Sequence, residues 1–288
     1  MARSQICDFF SEVEGRFVIV LGTNEIASAI AVRLALGGFS VVMSHDPFPP
    51  VIRRGMAFHD ALFEEHIELR GVAGRKAETA VEVIYALAQN NTVAVTPLQL
   101  SDLIALRAPD VLIDARLQKS AVVPNLRKIS GLSIGLGPNF TAGTNCDLAI
   151  ETHPAATGQI IKSGATLAHD HMPRYLGGVG RERFIYSTRS GVWRTPLNIG
   201  ARVFRNFVIG RLDGLPVPAP FDGFLRGVAR DGSFVPQDVK IVELDPRGRD
   251  SSWTGCDERG AIIAEATIAA VALATRGKPR LPLSLTIQ

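Results

Sequence analysis

The chain has 288 residues, 46% hydrophobic and 20% charged, enough apolar material to pack one large or two ordinary domains, which excludes a disordered chain. Its formal net charge of +3 is spread along the sequence and never gathers into a basic run with interleaved aromatics, so no nucleic-acid partner is expected. The longest apolar run, Ala261 to Ala274, is interrupted by Glu265 and falls short of the roughly 20 residues that cross a bilayer. With no signal-peptide core in the first residues, no membrane partner and a cytoplasmic location are expected.

Phe17 to Leu21 (FVIVL) is a continuous apolar run of the kind that forms a buried parallel strand. It ends at Gly22. Glu25 to Leu36 spaces Ile26, Ile30 and Leu34 four apart and is followed by Gly37-Gly38, a helix with its stop signal. Phe39 to Met43 then closes a βαβ unit. Asp46 follows 24 residues after Gly22, about where a dinucleotide fold places its ribose-binding acid. The glycine signature is degenerate: Gly22-x-Asn24-x-x-Ala27 lacks the middle Gly that lets a pyrophosphate approach the backbone. Backbone N–H groups at Gly22 to Glu25, at a helix N-terminus, are candidates for holding a phosphate.

Arg53-Arg54 is either a bidentate phosphate clamp on the ligand side of the sheet or a solvated pair. Further helices are predicted over 77–89 and 98–106, with strands over 92–95 and 111–113. Asp114, at a strand's carboxyl end, suits a ligand hydroxyl, a metal or an N-cap. In Gly131 to Thr152, an apolar strand at Leu132, Ile134 and Leu136 runs into Gly135, Gly137 and Gly143, leaving bare backbone around Asn139 and Thr141. Such a loop either lines a ligand cleft on the same sheet edge as Gly22 or is a tight connection needing positive φ. The alternation of strands and helices points to a mostly parallel sheet.

Beyond Thr152 the chain turns glycine-rich. His169-Asp170-His171 puts two imidazoles on one face if it is a strand, but no third ligand is evident, and no metal is expected. Cys7, Cys146 and Cys256 share no metal-ligand spacing and are expected as free thiols. Residues 191–213 repeat at a constant offset of 32 in residues 223–245, with Gly191/Gly223, Arg194/Arg226, Gly200/Gly232, Val203/Val235, Ile209/Ile241, Leu212/Leu244 and Asp213/Asp245 identical. Two short-strand units of this kind bury a face only by packing on each other. The segment resembles the barrel-sandwich hybrid of biotinyl and lipoyl domains. The hairpin Asp213-Gly214-Leu215-Pro216-Val217 has no lysine at the attachment position, so neither biotin nor lipoate is expected. A last helix is predicted from Glu258 to Thr275.

Several phrases together resemble the accessory proteins of selenium-dependent molybdenum hydroxylases, also labelled xanthine and CO dehydrogenase maturation factors. They are GTNEIAS (Gly22 to Ser28), IRR (Ile52 to Arg54), DVLIDA (Asp110 to Ala115), IGLGPNFTAG (Ile134 to Gly143), AIET (Ala149 to Thr152), APFDGFLRG (Ala219 to Gly227) and DPRG (Asp245 to Gly248). The resemblance implies an α/β chain in four parts. These are a Rossmann-like, mostly parallel sheet domain over 1–152, a connecting segment over 153–190, a small all-β barrel-sandwich-hybrid-like module over 191–250, and a C-terminal helix over 251–288 packing back on the core. It implies a molybdenum-cofactor maturation role with a client molybdenum-enzyme subunit as partner, and leaves self-association open. The site expected from these readings is Gly22, Asn24, Glu25, Asp46, Arg53, Arg54, Asp114, Gly135, Gly137, Asn139, Thr141 and Glu151, holding a small anionic ligand, either a molybdopterin-type cofactor or a nucleotide such as NAD(P). This chain departs from the pattern at Asn24, at Glu25 and at His153-Pro154-Ala155-Ala156, where relatives carry Gly, Asp and an Arg-Gly-His phrase. The alternative is an NAD(P)-dependent oxidoreductase using the same cleft, for which no Lys, Tyr or His with a proton-transfer motif is evident. A third reading is an interaction scaffold with a vestigial loop.

Overall fold

In the computed structural model, which describes residues 15–118, 122–170 and 172–275, the run Phe17–Leu21 is strand β1. Helix α1 (Glu25–Leu36) and β2 (Ser40–Ser44) follow as expected. The next two strands were not anticipated: β3 (His66–Leu69) and β4 (Val72–Lys76) form a hairpin. Arg70 and Gly71 both take positive φ, 52° and 77°, as a two-residue hairpin turn requires. Helix α2 (Ala80–Leu87) starts later than its apolar pattern suggests, because Thr79 and Glu82 form a capping box there. Then come β5 (Thr92–Thr96), α3 (Leu100–Leu106), β6 (Val111–Asp114), β7 (Ser133–Leu136), the short β8 (Thr141–Ala142), β9 (Leu148–Ile150), β10 (Ile160–Ile161) and β11 (Gly164–Ala165).

The chain divides into two compact units, one of residues 1–46, 58–169 and 256–288, the other of 47–57 and 170–255. The expected 153–190 connector is thus shared out: β10 joins the sheet of the first unit, and later residues join the second.

The first unit is built on a nine-stranded sheet ordered β10-β9-β7-β6-β1-β2-β5-β4-β3. Its neighbours pair in parallel from β9 through to β4, and only the edge strands β10 and β3 are antiparallel. Because side chains alternate across a strand, β1 feeds two cores. Val18 and Val20 pack with Ile26, Ile30 and Leu34 of α1, and Phe17, Ile19 and Leu21 with Val83, Ala86 and Leu103 of α2 and α3. The last helix, α4 (Glu258–Thr275), adds Ile263, Ala264, Ala270 and Val271 to the first of these cores. Small residues make the approach of α4 close, since a Cβ on Gly260 would sit 3.6 Å from the Ala29 Cβ of α1. No helix of the described residues is long and apolar enough to cross a membrane.

The second unit realises the repeat, which extends further than sequence identity shows. Its strands are β12 (Phe184–Tyr186), β13 (Gly191–Arg194), β14 (Arg202–Val203), β15 (Val208–Leu212), β16 (Leu215–Pro218), β17 (Gly223–Val228), β18 (Phe234–Val235) and β19 (Lys240–Asp245). They form two four-stranded sheets, β12-β19-β17-β14 and β16-β15-β13-β18, so each sheet takes two strands from each copy. Shifting every residue by 32 turns one sheet's pairings into the other's. Gly191 pairs with Val235 and Val192 with Phe234, as Gly223 pairs with Val203 and Phe224 with Arg202. Trp193 faces Leu212 as Leu225 faces Leu244. Even the irregular pairs match: Phe184 with Glu243, Ile185 with Val242 and Tyr186 with Lys240 mirror Pro216 with Arg211, Val217 with Gly210 and Pro218 with Val208. Trp193, Val203, Ile209 and Leu212 of one copy share a core with Leu225, Val235, Ile241 and Leu244 of the other.

Trp193 is fully buried and is the largest side chain in that core, so Trp193→Ala is expected to cost about 3–5 kcal/mol in urea unfolding. Outside the core, Glu243 is fully buried and ion-paired to Arg53 at 2.6 Å, to Arg183 and, at 3.5 Å, to Arg226. Burial pushes its carboxyl up, but Arg53, then Arg183 and Arg226, outweigh burial and hold it below the usual range. A carboxyl depressed in the folded state stabilises above its unfolded pKa, and that contribution is lost as pH falls through the folded value. Unfolding free energy should therefore drop below about pH 4. Glu243→Gln should flatten that acid limb and cost about 3–5 kcal/mol at neutral pH, by leaving buried guanidinium groups without their carboxylate. Urea titrations across pH check both.

Candidate functional site

The sheet of the first unit reverses its winding between β1 and β6: β2 and β5 lie on one side, and β6, β7 and β9 on the other. The crevice beyond the carboxyl ends of such strands is where open α/β sheets take ligands. The sequence places Gly22 to Glu25 after β1, His45 and Asp46 after β2, Asp114 to Arg116 at and after the end of β6, and Gly137 after β7. Gly22 and Gly137 therefore share one sheet edge, as the topological argument expects.

At the switch point itself the chain closes on its own groups. Gly22 takes φ 103°, and a side chain there would lie 3.2 Å from the Ala115 carbonyl oxygen and from the Arg116 Cα. Its bare Cα serves this chain crossing, and its N–H donates to the Ser44 carbonyl at 2.8 Å. Asn24 is the N-cap of α1: its Oδ1 accepts from the N–H groups of Ile26 and Ala27 at 2.9 and 3.0 Å, while its Nδ2 donates to the Ala115 carbonyl at 2.7 Å. The carboxamide thus takes up two N–H groups of the helix's first turn, those of Ile26 and Ala27, and of the expected phosphate donors at Gly22 to Glu25 the Gly22 N–H is spent on Ser44. Glu25 lies in that first turn, where a negative charge favours the helix and disfavours an anion.

Arg53 and Arg54 belong to the second unit, not to the edge of the large sheet where the sequence reading puts them. Arg53 is committed to Glu243 through Nε and Nη2, and Arg54 Nε donates to the Val228 carbonyl at 3.0 Å. Val228 N–H in turn donates to the Ile52 carbonyl, which seats the segment. Glu151 is likewise structural: fully buried, it accepts the N–H groups of Thr152, His153 and Leu167 at 2.7, 2.6 and 2.7 Å and pins the loop between them. Phe140 packs against the bare Cα of Gly135, and Gly137 takes φ 85° with Thr152 and Leu117 alongside. Both glycines answer needs of the chain itself, the second by a backbone angle that other residues adopt only under strain. Asn139 also takes positive φ, 75°, while Thr141 starts β8 with its N–H donating to Asn145 Oδ1.

Two polar clusters remain on this edge, and they include residues the sequence reading passed over. In the first, Thr23 Oγ1 lies 3.2 Å from His45 Nδ1 and 3.1 Å from His59 Nδ1, with the two rings 5.1 Å apart. A hydroxyl has one proton to give and two lone pairs to accept with, so at most one of the two imidazoles accepts from Thr23 and at least one brings its own Nδ1–H. Burial lowers the pKa of His45, an effect that Asp46 only partly offsets, which favours its neutral imidazole. In the second cluster Arg116 forms a bidentate pair with the buried Asp114, at 3.0 and 2.6 Å, and reaches Asp46 at 3.6 Å. Asp46 also accepts from Gln118 Nε2 at 2.7 Å. The hydrogen bonds that Arg116 donates to Asp114, more than charge alone, raise the Arg116 pKa.

Thr23 and His45 stand two residues and one residue past their strands and were within reach of the carboxyl-end rule. His59 was not, because it is brought there by a short 3₁₀ segment, Phe58–Leu62, whose Phe58 N–H donates to Ser28 Oγ of α1. Among the described residues no group of three or more His, Cys, Asp or Glu could hold a metal ion. His171 and Cys7 lie outside the described residues, while Cys146 and Cys256 are free thiols. Burial pushes Cys146 up to about 11, which makes it a poor nucleophile.

No family model matches the chain. It is 30% identical over 249 residues to the uncharacterized protein YqeB of Escherichia coli K12, a match that covers 86% of this chain and 46% of YqeB. The chain thus spans about half the length of that relative. Among solved structures, an aspartoacylase family protein of Mesorhizobium loti, the ectoine utilization protein EutE (DoeB) of Ruegeria pomeroyi and a succinylglutamate desuccinylase/aspartoacylase of Rhodobacter sphaeroides are each 12% identical. Each match covers 80% of this chain and 85% of the other, with TM-scores of 0.25, 0.23 and 0.24. At such scores the likeness carries no argument about fold or chemistry.

The double role of Asn24 makes it the residue whose loss this edge feels first. Asn24→Ala is expected to lower stability by about 1–2 kcal/mol in urea unfolding, the cost of an N-cap, and Asn24→Gly to lose only a few tenths of a kcal/mol in capping.

Proposed function

We propose that the chain is an accessory protein of a molybdenum-cofactor enzyme, and that the carboxyl edge of its large sheet takes a pterin-bearing ligand for a client subunit. With this goes the finer fold reading, a Rossmann-like first unit and a barrel-sandwich-hybrid-like second one. The observation that carries the proposal is Asp46 with its neighbours. Its side chain keeps 23% exposure beside Gln118 and Arg116, at the strand end where ligands dock. The 2-amino-4-oxo edge of a pterin offers two adjacent N–H donors, which match the two oxygens of one carboxylate. In this reading Arg116, held between Asp46 and Asp114, meets a phosphate on the same ligand, and the phrases from Gly22 to Gly248 that resemble the maturation family support the assignment. Against an NAD(P)-dependent oxidoreductase stands Asn24, whose carboxamide takes up N–H groups on which that reading relies.

Native mass spectrometry of freshly purified protein is expected to show a pterin-containing adduct, and calorimetry with that ligand a single site. Asp46→Asn should weaken binding by about 1.5–3 kcal/mol, the usual worth of a hydrogen bond to a charged group. Unchanged affinity in the Asp46→Asn protein, or a co-purifying dinucleotide, would overturn the reading.

A further inference from the structure

The pseudo-twofold of the second unit makes each sheet a template for the other, and the two outward faces are treated differently. On the β12-β19-β17-β14 sheet the outward face carries Phe224, Arg226 and Glu243, and the chain covers it with two of its own segments. Trp253 stacks on Phe224, with ring centroids 5.4 Å apart and planes 15° from parallel. It also lies so close over Gly200 that a Cβ there would be 2.6 Å from its Nε1. Arg53 covers Glu243, and Arg226 is buried beneath.

Thirty-two residues away in sequence, the corresponding positions on the β16-β15-β13-β18 sheet are Val192 for Phe224, Gly232 for Gly200, Phe234 for Arg202, Arg194 for Arg226 and Arg211 for Glu243. Gly200 and Gly232 take the same backbone turn, φ 84° and 80°, so the seat has the same shape. This second seat is exposed: Val192 is 37% and Phe234 57% exposed, although they pair directly across β13 and β18, Arg211 is exposed, and the Arg194 guanidinium lies over Gly232, its Nη1 3.1 Å from where a Cβ would stand. The Arg194 side chain is 66% exposed, with Asp231 3.5 Å away as a solvent-screened partner.

We propose that this open face docks a partner-protein segment that carries an aromatic side chain and a carboxylate. The ring seats on Val192 and Phe234 and against the Arg194 guanidinium that lies over Gly232, in the place where Trp253 seats on Phe224 and Gly200. The carboxylate lies against Arg194 and Arg211, which face each other across β13 and β15. The charge follows from the template by reversal. Where the covered face has Glu243, its covering segment brings an arginine; where the open face has Arg211, a complementary segment brings an acid. The unit as a whole favours an acidic partner, with fifteen Arg and Lys against nine Asp and Glu in residues 47–57 and 170–255. Pro196 stands where Val228 donates its N–H to the Ile52 carbonyl, so docking rests on side chains and not on added backbone pairing. The proposal is independent of any ligand at the edge of the large sheet.

The test uses the full chain, isotope-labelled for amide NMR, and three synthetic peptides: one Trp flanked by Glu residues, the same peptide with Lys for Glu, and the same with Ala for Trp. The first is expected to give saturable shifts confined to residues 191–194, 211 and 232–235, and each control to bind at least ten-fold more weakly. Phe234→Ser and Arg211→Glu should each abolish saturation without moving the thermal midpoint, since both side chains are exposed. Equal binding of the Lys peptide, shifts centred elsewhere, no saturation at millimolar peptide, or variants that bind normally would overturn the proposal. So would concentration-dependent sedimentation of the chain alone that Phe234→Ser removes, because the occupant would then be a second copy.

Discussion

Each sheet of the second unit is completed by strands of the other repeat copy, and this exchange is the constraint that the rest of the unit obeys. β14 of the first copy pairs with β17 of the second, and β18 of the second with β13 of the first, so neither copy has a closed sheet or a two-sided core alone. Glycines and acids identical in both copies then acquire a reason. Gly191 lets the Asp213 carboxylate close in, and Gly223 admits the backbone of Asp245 in the same way. The matched irregularities opposite Tyr186 and Pro218 show that register as well as strand order is duplicated.

Symmetry stops where charge begins. Arg194 and Arg226 are the same residue in the repeat, yet one is solvated and the other is buried against Glu243. The difference lies in what covers them: residues 52–54 lay Arg53 on Glu243, and the Ser252 carbonyl accepts from Arg226. An ion cluster buried in this way adds little net stability over apolar packing, but it tolerates no missing member, so it fixes which of two equivalent faces those segments occupy.

In the first unit the same economy of partners shapes the sheet's carboxyl edge. Asn24 caps α1 and reaches across to β6, Glu151 fastens three backbone N–H groups, and Arg116 ties Asp46 to Asp114. The edge is thereby tied together by bonds of the chain to itself, which fix the positions of these side chains. Thr23 adds a hydroxyl that joins two histidines, at least one of which must donate to it.

The sequence by itself determined β1, α1 and β2, the mostly parallel sheet, and the 32-residue repeat, because strand and helix periods and a repeat offset are written in local spacing. Asn24 was legible as a poor phosphate-loop residue, but its bond to Ala115, 91 positions away, was not. Arg53 and Arg54 read as ligand contacts because they follow the βαβ unit in sequence, whereas packing assigns them to Glu243 and Val228, over 170 residues on. His59 reached Thr23 only through the anchoring of Phe58 to Ser28. Tertiary structure alone decided these partnerships. A buried charge or N–H group takes whichever complementary group packing brings within about 3 Å, and that choice depends on the whole chain and not on neighbouring residues.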